Sequence, residues 1–178
     1  KSFENAIGLD VAWTNLKIAK NIDGTSEYIC GDGNYLPFKD ETFNAVFCGA
    51  VLHHFPDIVE PLKEINRVLK TNGVLFATEP NAWNPLSFIQ YQIKRVRRSG
   101  NPLTWEYHSF FSYVYVKRKL SQSGFIVLRR RGMNFTPPEV KGIWKFARVV
   151  EPYLESFPLI NMLGGSLLIT AKKVKNIT

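Results

Sequence analysis

The sequence predicts an α/β fold with a mostly parallel sheet, and three observations carry that expectation. Short, nearly continuous apolar runs alternate with helical stretches, as strands covered on both faces by crossover helices do. One of those stretches, near the middle of the chain, has a clear apolar face at helical spacing. Turn signals built from Gly, Asn and Asp separate the segments.

Ile7–Asp10 is the first apolar run, and it ends in an acid. Thr14–Lys20 follows as a helix-compatible stretch, with Leu16, Ile18 and Ala19 among its apolar positions. Tyr28–Gly31 is the second strand, closed by the turn Asp32-Gly33-Asn34, and Ala45–Cys48 is the third. Pro56–Lys70 is the clearest helix, with Val59, Leu62, Ile65 and Leu69 on one face. Asp57 is placed to cap it, with Glu60 three positions on as a variant capping box. Pro61 falls in the first turn, where its missing N–H costs little. Asn72-Gly73 supplies the stop.

Val74–Thr78 is a fully apolar strand that ends at Glu79-Pro80-Asn81. An irregular aromatic stretch runs from Trp83 to Trp105, then Phe110–Ser123 is helical, with Gly124 as its stop. Phe125–Arg129 is a strand, Pro137–Phe157 is mixed or helical, and Ser166–Ala171 is a last strand before a basic tail. Residues 82–165 depart from simple alternation and are expected to hold an insertion packed on the sheet.

Composition bounds the function classes. The 178 residues are 45% hydrophobic and 21% charged, which suits one folded domain rather than a disordered or fibrous chain. Cys30 and Cys48 are the only cysteines, too few for a disulfide scaffold or a Cys-rich metal site. No apolar run of about 18 residues predicts a membrane-spanning helix. No signal-peptide pattern is present, so a cytoplasmic domain is the default. The first residue is Lys1, so sequence upstream of it is expected. A net charge of +8 favours acidic partners, nucleic acid among them. The basic groups cluster at Lys94–Arg98, Lys117–Lys119, Arg129–Arg131 and Lys172–Lys175, which also reads as solvated helix and strand faces.

In open α/β sheets, ligands bind beyond the carboxyl ends of the strands. The first strand ends at Asp10, whose carboxylate can take both hydroxyls of a ribose or can cap the next helix. The second ends at Gly31-Asp32-Gly33, where the acid can accept from an exocyclic amine and Gly33 can admit a flat ring. A plain Asp-Gly turn explains the same residues. The third ends at Cys48-Gly49-Ala50, followed by His53 and His54. Adjacent histidines point different ways, and His108 is the only other one, so no metal is expected.

Taken in order, AIGLDVAWTNLKIAK, YICGDGNYLPFKDETFNAVFCGAVLHHFPD and PLKEINRVLKTNGVLFATEPN resemble the class I S-adenosylmethionine-dependent methyltransferases. The likeness is strongest to the small-molecule, quinone and sterol branch and covers roughly residues 6–82. EYHSFF and SQSGF resemble the C-terminal half more weakly. The resemblance implies a Rossmann-like, doubly wound sheet, mostly parallel, with a C-terminal antiparallel strand and a helical, aromatic insertion. It implies S-adenosyl-L-methionine as cofactor and a small-molecule or lipid acceptor, with a nucleic-acid acceptor or a non-catalytic binding domain as alternatives. Asp10 and Val11 match the ribose-binding strand end, Asp32 and Gly33 the adenine contact, and Cys48 and Gly49 the strand end along the methionyl group. His53 and His54 match the region bordering the acceptor. The three histidines, His53, His54 and His108, are the candidate bases. Trp105 and Tyr107 are candidates for a lid or an apolar acceptor pocket, and core packing is their alternative role.

The family's glycine-rich loop is not in this sequence. In nucleotide-binding sheets the acid follows that loop by about 20 residues. Asp10 therefore places the loop about ten residues before Lys1. The 178 residues are expected to form one methyltransferase domain lacking its first strand and that loop.

Overall fold

In a computed structural model of the chain, residues 5–24, 26–85, 89, 111–135 and 145–174 are described. Strand β1 (Ile7–Asp10), helix α1 (Trp13–Ile22) and strand β2 (Glu27–Cys30) form the first unit. Strand β3 (Phe43–Gly49) leads through a 3-10 turn, Leu52–His54, into α2 (Val59–Val68) and β4 (Leu69–Pro80). Then come α3 (Tyr113–Gln122), β5 (Phe125–Met133), α4 (Lys145–Ser156), the single turn α5 (Pro158–Asn161) and β6 (Ser166–Lys173).

The strands form two sheets rather than the one expected. β1 pairs with β2 in parallel, and the other four follow the order β3-β4-β6-β5. β3 and β4 pair in parallel, while β6 is antiparallel to both β4 and β5. Strands β3, β4 and β5 therefore run one way and β6 alone runs back. The reversed C-terminal strand agrees with expectation. Its insertion between β4 and β5 makes the sheet mixed in its pairings.

The core sits between this four-stranded sheet and α2 and α3. Alternate residues of β6, Leu167, Ile169 and Ala171, are buried, as are Leu75 and Ala77 of β4. Leu62, Ile65 and Leu69 pack against them with Val116 and Leu120 of α3. A strand buries every second residue and a helix every third or fourth, so these two periods meet in one apolar layer.

The ends of α2 differ from the sequence reading. Ile58 is the capping residue, and Asp57 stands one place earlier, where its Oδ1 accepts the Val59 N–H at 3.1 Å. Glu60 pairs with Lys63 at 2.8 Å instead of closing a capping box. The helix stops at Val68, because Leu69 turns its side chain into the core as the first residue of β4. Asn72, not Gly73, takes the left-handed conformation, with φ 68°. Gly73 is needed for space, since a Cβ there would lie 2.8 Å from the Lys70 carbonyl oxygen. Gly124 does end α3 in the left-handed region, with φ 79°.

Arg67 at the end of α2 organises the connection from β2 to β3. Its guanidinium donates to the carbonyls of Leu36 (2.9 Å) and Phe38 (2.8 Å) and to Asp40 and Glu64. Glu64 in turn accepts the Leu36 N–H at 2.9 Å. The Leu36-Pro37-Phe38 segment and the α2 motif are thus two halves of one hydrogen-bonded clamp. The Arg67 hydrogen bonds hold the Glu64 carboxyl below the ordinary carboxylate range, and Glu64 and Asp40 push the guanidinium's proton affinity up.

Candidate active site at the strand ends

Register places the acidic strand ends together. Asp10 is opposite Cys30 in the parallel β1–β2 pair, so Asp32 lies two residues beyond it on the adjacent strand. Neighbouring strands are about 4.8 Å apart and advance about 3.3 Å per residue. Two carboxylates therefore stand at the same end of one short parallel pair.

Asp10 is half-buried and engaged by the start of α1. Its Oδ1 accepts the Ala12 N–H at 2.7 Å, and its Oδ2 accepts from Asn15 Nδ2 at 3.1 Å. Ala12, not Asp10, is the capping residue of α1, with no side-chain cap, and each Asp10 oxygen keeps a second lone pair for a hydroxyl. Val11 is exposed, and its carbonyl accepts the Cys30 thiol hydrogen at 3.4 Å. Asp32 is exposed, and its Oδ1 takes the Asn34 N–H at 2.8 Å and Asn34 Nδ2 at 3.0 Å. That is the Asp-Gly turn closed by its own side chain.

Gly33 has a reason internal to the fold. A Cβ at this position would lie 2.8 Å from Cζ of Phe55. The flat ring that the glycine admits includes one from the chain itself.

The end of β3 is built more tightly. Cys48 is buried, and its thiol is pushed up to about 12, first by burial and then by the charge on Glu79. It acts as a small neutral packing group, not as a nucleophile. Gly49 lies opposite Thr78 of β4, and the Ala50 N–H donates to the Thr78 carbonyl at 2.8 Å. Ala50 has φ 53°, so the chain leaves the strand through a conformation that an alanine rarely adopts.

The next turn carries the histidines. His53 is buried and His54 exposed, with ring centroids 4.1 Å apart. Glu79, at 1% exposure, accepts the N–H groups of Leu52 at 2.9 Å and His53 at 3.3 Å, and its Oε2 lies 2.8 Å from His53 Nδ1. Sequence reasoning missed Glu79, treating it only as the end of a strand. The signal was present, because Glu79 continues the inward row of Leu75 and Ala77 at period two. An acid on that row needs partners.

His108, Trp105 and Tyr107 lie outside the described residues, as do Lys94–Arg98. Other basic groups have internal roles. Lys119 pairs with Asp57 at 2.9 Å, Arg130 sits over the Tyr113 ring at 4.8 Å, and Lys173 donates to the Leu69 carbonyl at 2.7 Å. No group of three or more metal-ligating side chains occurs among the described residues. No helix among them is long and apolar enough to cross a membrane.

Comparison with known proteins bears on these strand ends. Residues 1–77 match the model of a family described as a methyltransferase domain. An uncharacterized protein of Methanocaldococcus jannaschii is 29% identical over 196 residues, covering 99% of this chain and 72% of its own length. Demethylmenaquinone methyltransferase of Staphylococcus aureus is 28% identical over 144 residues, 71% of this chain and 60% of the relative. The chain thus matches less than two thirds of that enzyme's length. A Thermotoga maritima S-adenosylmethionine-dependent methyltransferase superposes with a TM-score of 0.71 at 22% identity, over 94% of this chain and 72% of its own, which is a likeness of fold. These matches agree with one another: residues 1–77 match a methyltransferase domain, and the fold is one shared with S-adenosylmethionine-dependent methyltransferases.

Proposed function

We propose that this chain transfers a methyl group from S-adenosyl-L-methionine to a small-molecule or lipid acceptor. The observation that carries the reading is the register of β1 with β2, which sets Asp10 and Asp32 at one edge of adjacent parallel strands. The donor set suits the adenosyl half of the cofactor. Carboxylate lone pairs at Asp10 answer ribose hydroxyls, and Asp32 answers an exocyclic amine. Val11 and Gly33 flank them, and Cys48 and Gly49 line the neighbouring strand end. When bound, the cofactor supplies a methyl group activated by a sulfonium. The chain's own task is then to hold and align the acceptor, because orientation supplies most of the rate.

A base is needed only where the acceptor is a hydroxyl or a protonated amine. His53, His54 and His108 are the candidates, and of the two described, His53 is the one buried and bonded to Glu79. Trp105 and Tyr107 are proposed to line an apolar acceptor pocket. The described strands also support the expected domain layout. β1 and β3 each pair on one side only. We propose that a strand bearing the glycine-rich loop, encoded before Lys1, completes the sheet between them.

Titration calorimetry with S-adenosyl-L-methionine, on the chain with and without its upstream sequence, tests this reading. Binding is expected with the upstream sequence. Asp10→Ala and Asp32→Ala are each expected to weaken it about 10-fold or more, the loss of a hydrogen bond to a charged group. Absence of binding to the longer chain would reject the enzyme reading in favour of a non-catalytic domain. A quinone related to the acceptor of the staphylococcal relative is a first acceptor to assay.

A further inference from the structure

We propose that Glu79 is a positioning residue that fixes the proton of His53 on Nδ1, so that Nε2 is the acceptor nitrogen of the ring. The proposal deepens the functional reading above, since it concerns the histidine placed there beside the acceptor.

Three nitrogen groups converge on the Glu79 carboxylate. Two of the three groups on Glu79 are backbone N–H groups, Leu52 and His53, which can only donate. Leu52 takes Oε1, while the His53 N–H and ring Nδ1 share Oε2. A carboxylate can accept all three bonds at once. A protonated carboxyl would have to turn an O–H towards one of them. With the carboxylate ionised, the 2.8 Å contact is a hydrogen bond only if Nδ1 carries the hydrogen. In the neutral ring Nε2 is then the acceptor.

Burial sharpens the point. Glu79 is 1% exposed, so its oxygens are shielded from bulk solvent. A buried carboxylate is tolerated when its lone pairs are filled. The backbone bonds tie the end of β4 to the turn after β3, and the ring bond sets the orientation of the imidazole on that turn. His54 lies against the other ring, at 4.1 Å between centroids. The network thus orients a histidine on the loop that follows a ligand-facing strand end, which packing alone would not specify.

The test is nitrogen-15 correlation spectroscopy of the imidazole rings in the whole chain near pH 8, above the ordinary histidine range of about 6.5. His53→Gln assigns the signals. The expected result is a neutral His53 with its hydrogen on Nδ1, and loss of that pattern in Glu79→Gln, whose amide cannot accept all three bonds. Glu79→Asp, which keeps the carboxylate, is expected to restore the pattern in part. A native ring with its hydrogen on Nε2, or with both nitrogens protonated at this pH, would overturn the proposal. So would an unchanged pattern in a folded Glu79→Gln chain. If Glu79→Gln does not fold, the native pattern alone decides. The measurement needs no cofactor, so failure of cofactor binding would remove the functional reading and leave this inference to stand or fall by itself.

Discussion

The β1–α1–β2 unit and the β3–β4–β6–β5 sheet are built to different standards. In the first, Leu16 is the buried hydrophobic residue, while Val11, Trp13, Ile18 and Ile22 are exposed, Ile22 at 83%. In the second, Leu69, Leu75 and Ala171 are fully buried, as is Leu62 of α2 packed against them. A two-stranded pair of four-residue strands is marginal without further packing. The clamp made by Arg67 and Glu64 on residues 36–40 is a main link from that pair to the core. The two halves of the candidate site are therefore held by different forces. The acids proposed for the cofactor rest on short strands and turn hydrogen bonds. The histidine turn rests on a close-packed sheet and the buried hydrogen bonds of Glu79.

Mutations can break this contrast. The largest effect is expected in the core packed on the sheet: Leu62→Ala in α2 should cost about 3 kcal/mol of global stability through the cavity it leaves. Ile22→Ala should stay within about 0.5 kcal/mol, as an exposed substitution. Denaturant titration of both variants compares the halves directly, and equal losses would contradict the difference in packing. Next is Arg67→Ala, expected to cost about 2 kcal/mol by removing its charged hydrogen bonds. Hydrogen exchange should quicken more in β1 and β2 than in β4 and β6, and uniform quickening would mean that the clamp is not the link.

The same clamp sets a pH dependence. Glu64 is held below its ordinary carboxylate value, so it stabilises the fold fully above the unfolded value. That contribution is lost as pH falls through the lower folded value. Glu64→Gln should therefore flatten the acid limb of stability, seen as a smaller difference in melting temperature between neutral and acidic buffer. Gly33→Ala tests the turn that presents Asp32. Its Cβ would meet the Phe55 ring, and overpacking of this kind costs about 1–3 kcal/mol. The lower end is expected, because the ring can turn aside, and Phe55→Leu in the same chain should recover the loss.

Much of this was legible in the sequence, for physical reasons that can be named. The Leu62–Ile65 face of α2 was visible because a helix repeats its inward side at fixed spacing. Asp10 and Asp32 were visible because each directly follows an apolar run. The ends of α2 were less legible. Leu69 was drawn into β4 by the core, which shortened the helix, and Ile58 took the capping place while Asp57 served it from one residue away. The contact of Gly33 with Phe55, 22 residues later, was not legible, because no local pattern brings the two together.

The alternation of strands and helices, the acids at the strand ends and the likeness to methyltransferase domains can be read along the chain. Those features are local: each is a pattern of side chains along a few residues of one element. Tertiary structure decided the split into two sheets, the reversal of β6 between β4 and β5, and the meeting of Glu79 with His53 across 26 residues. These depend on which strands pair and which faces close on one another. Such contacts are selected by the whole core at once, so no short window of sequence contains them.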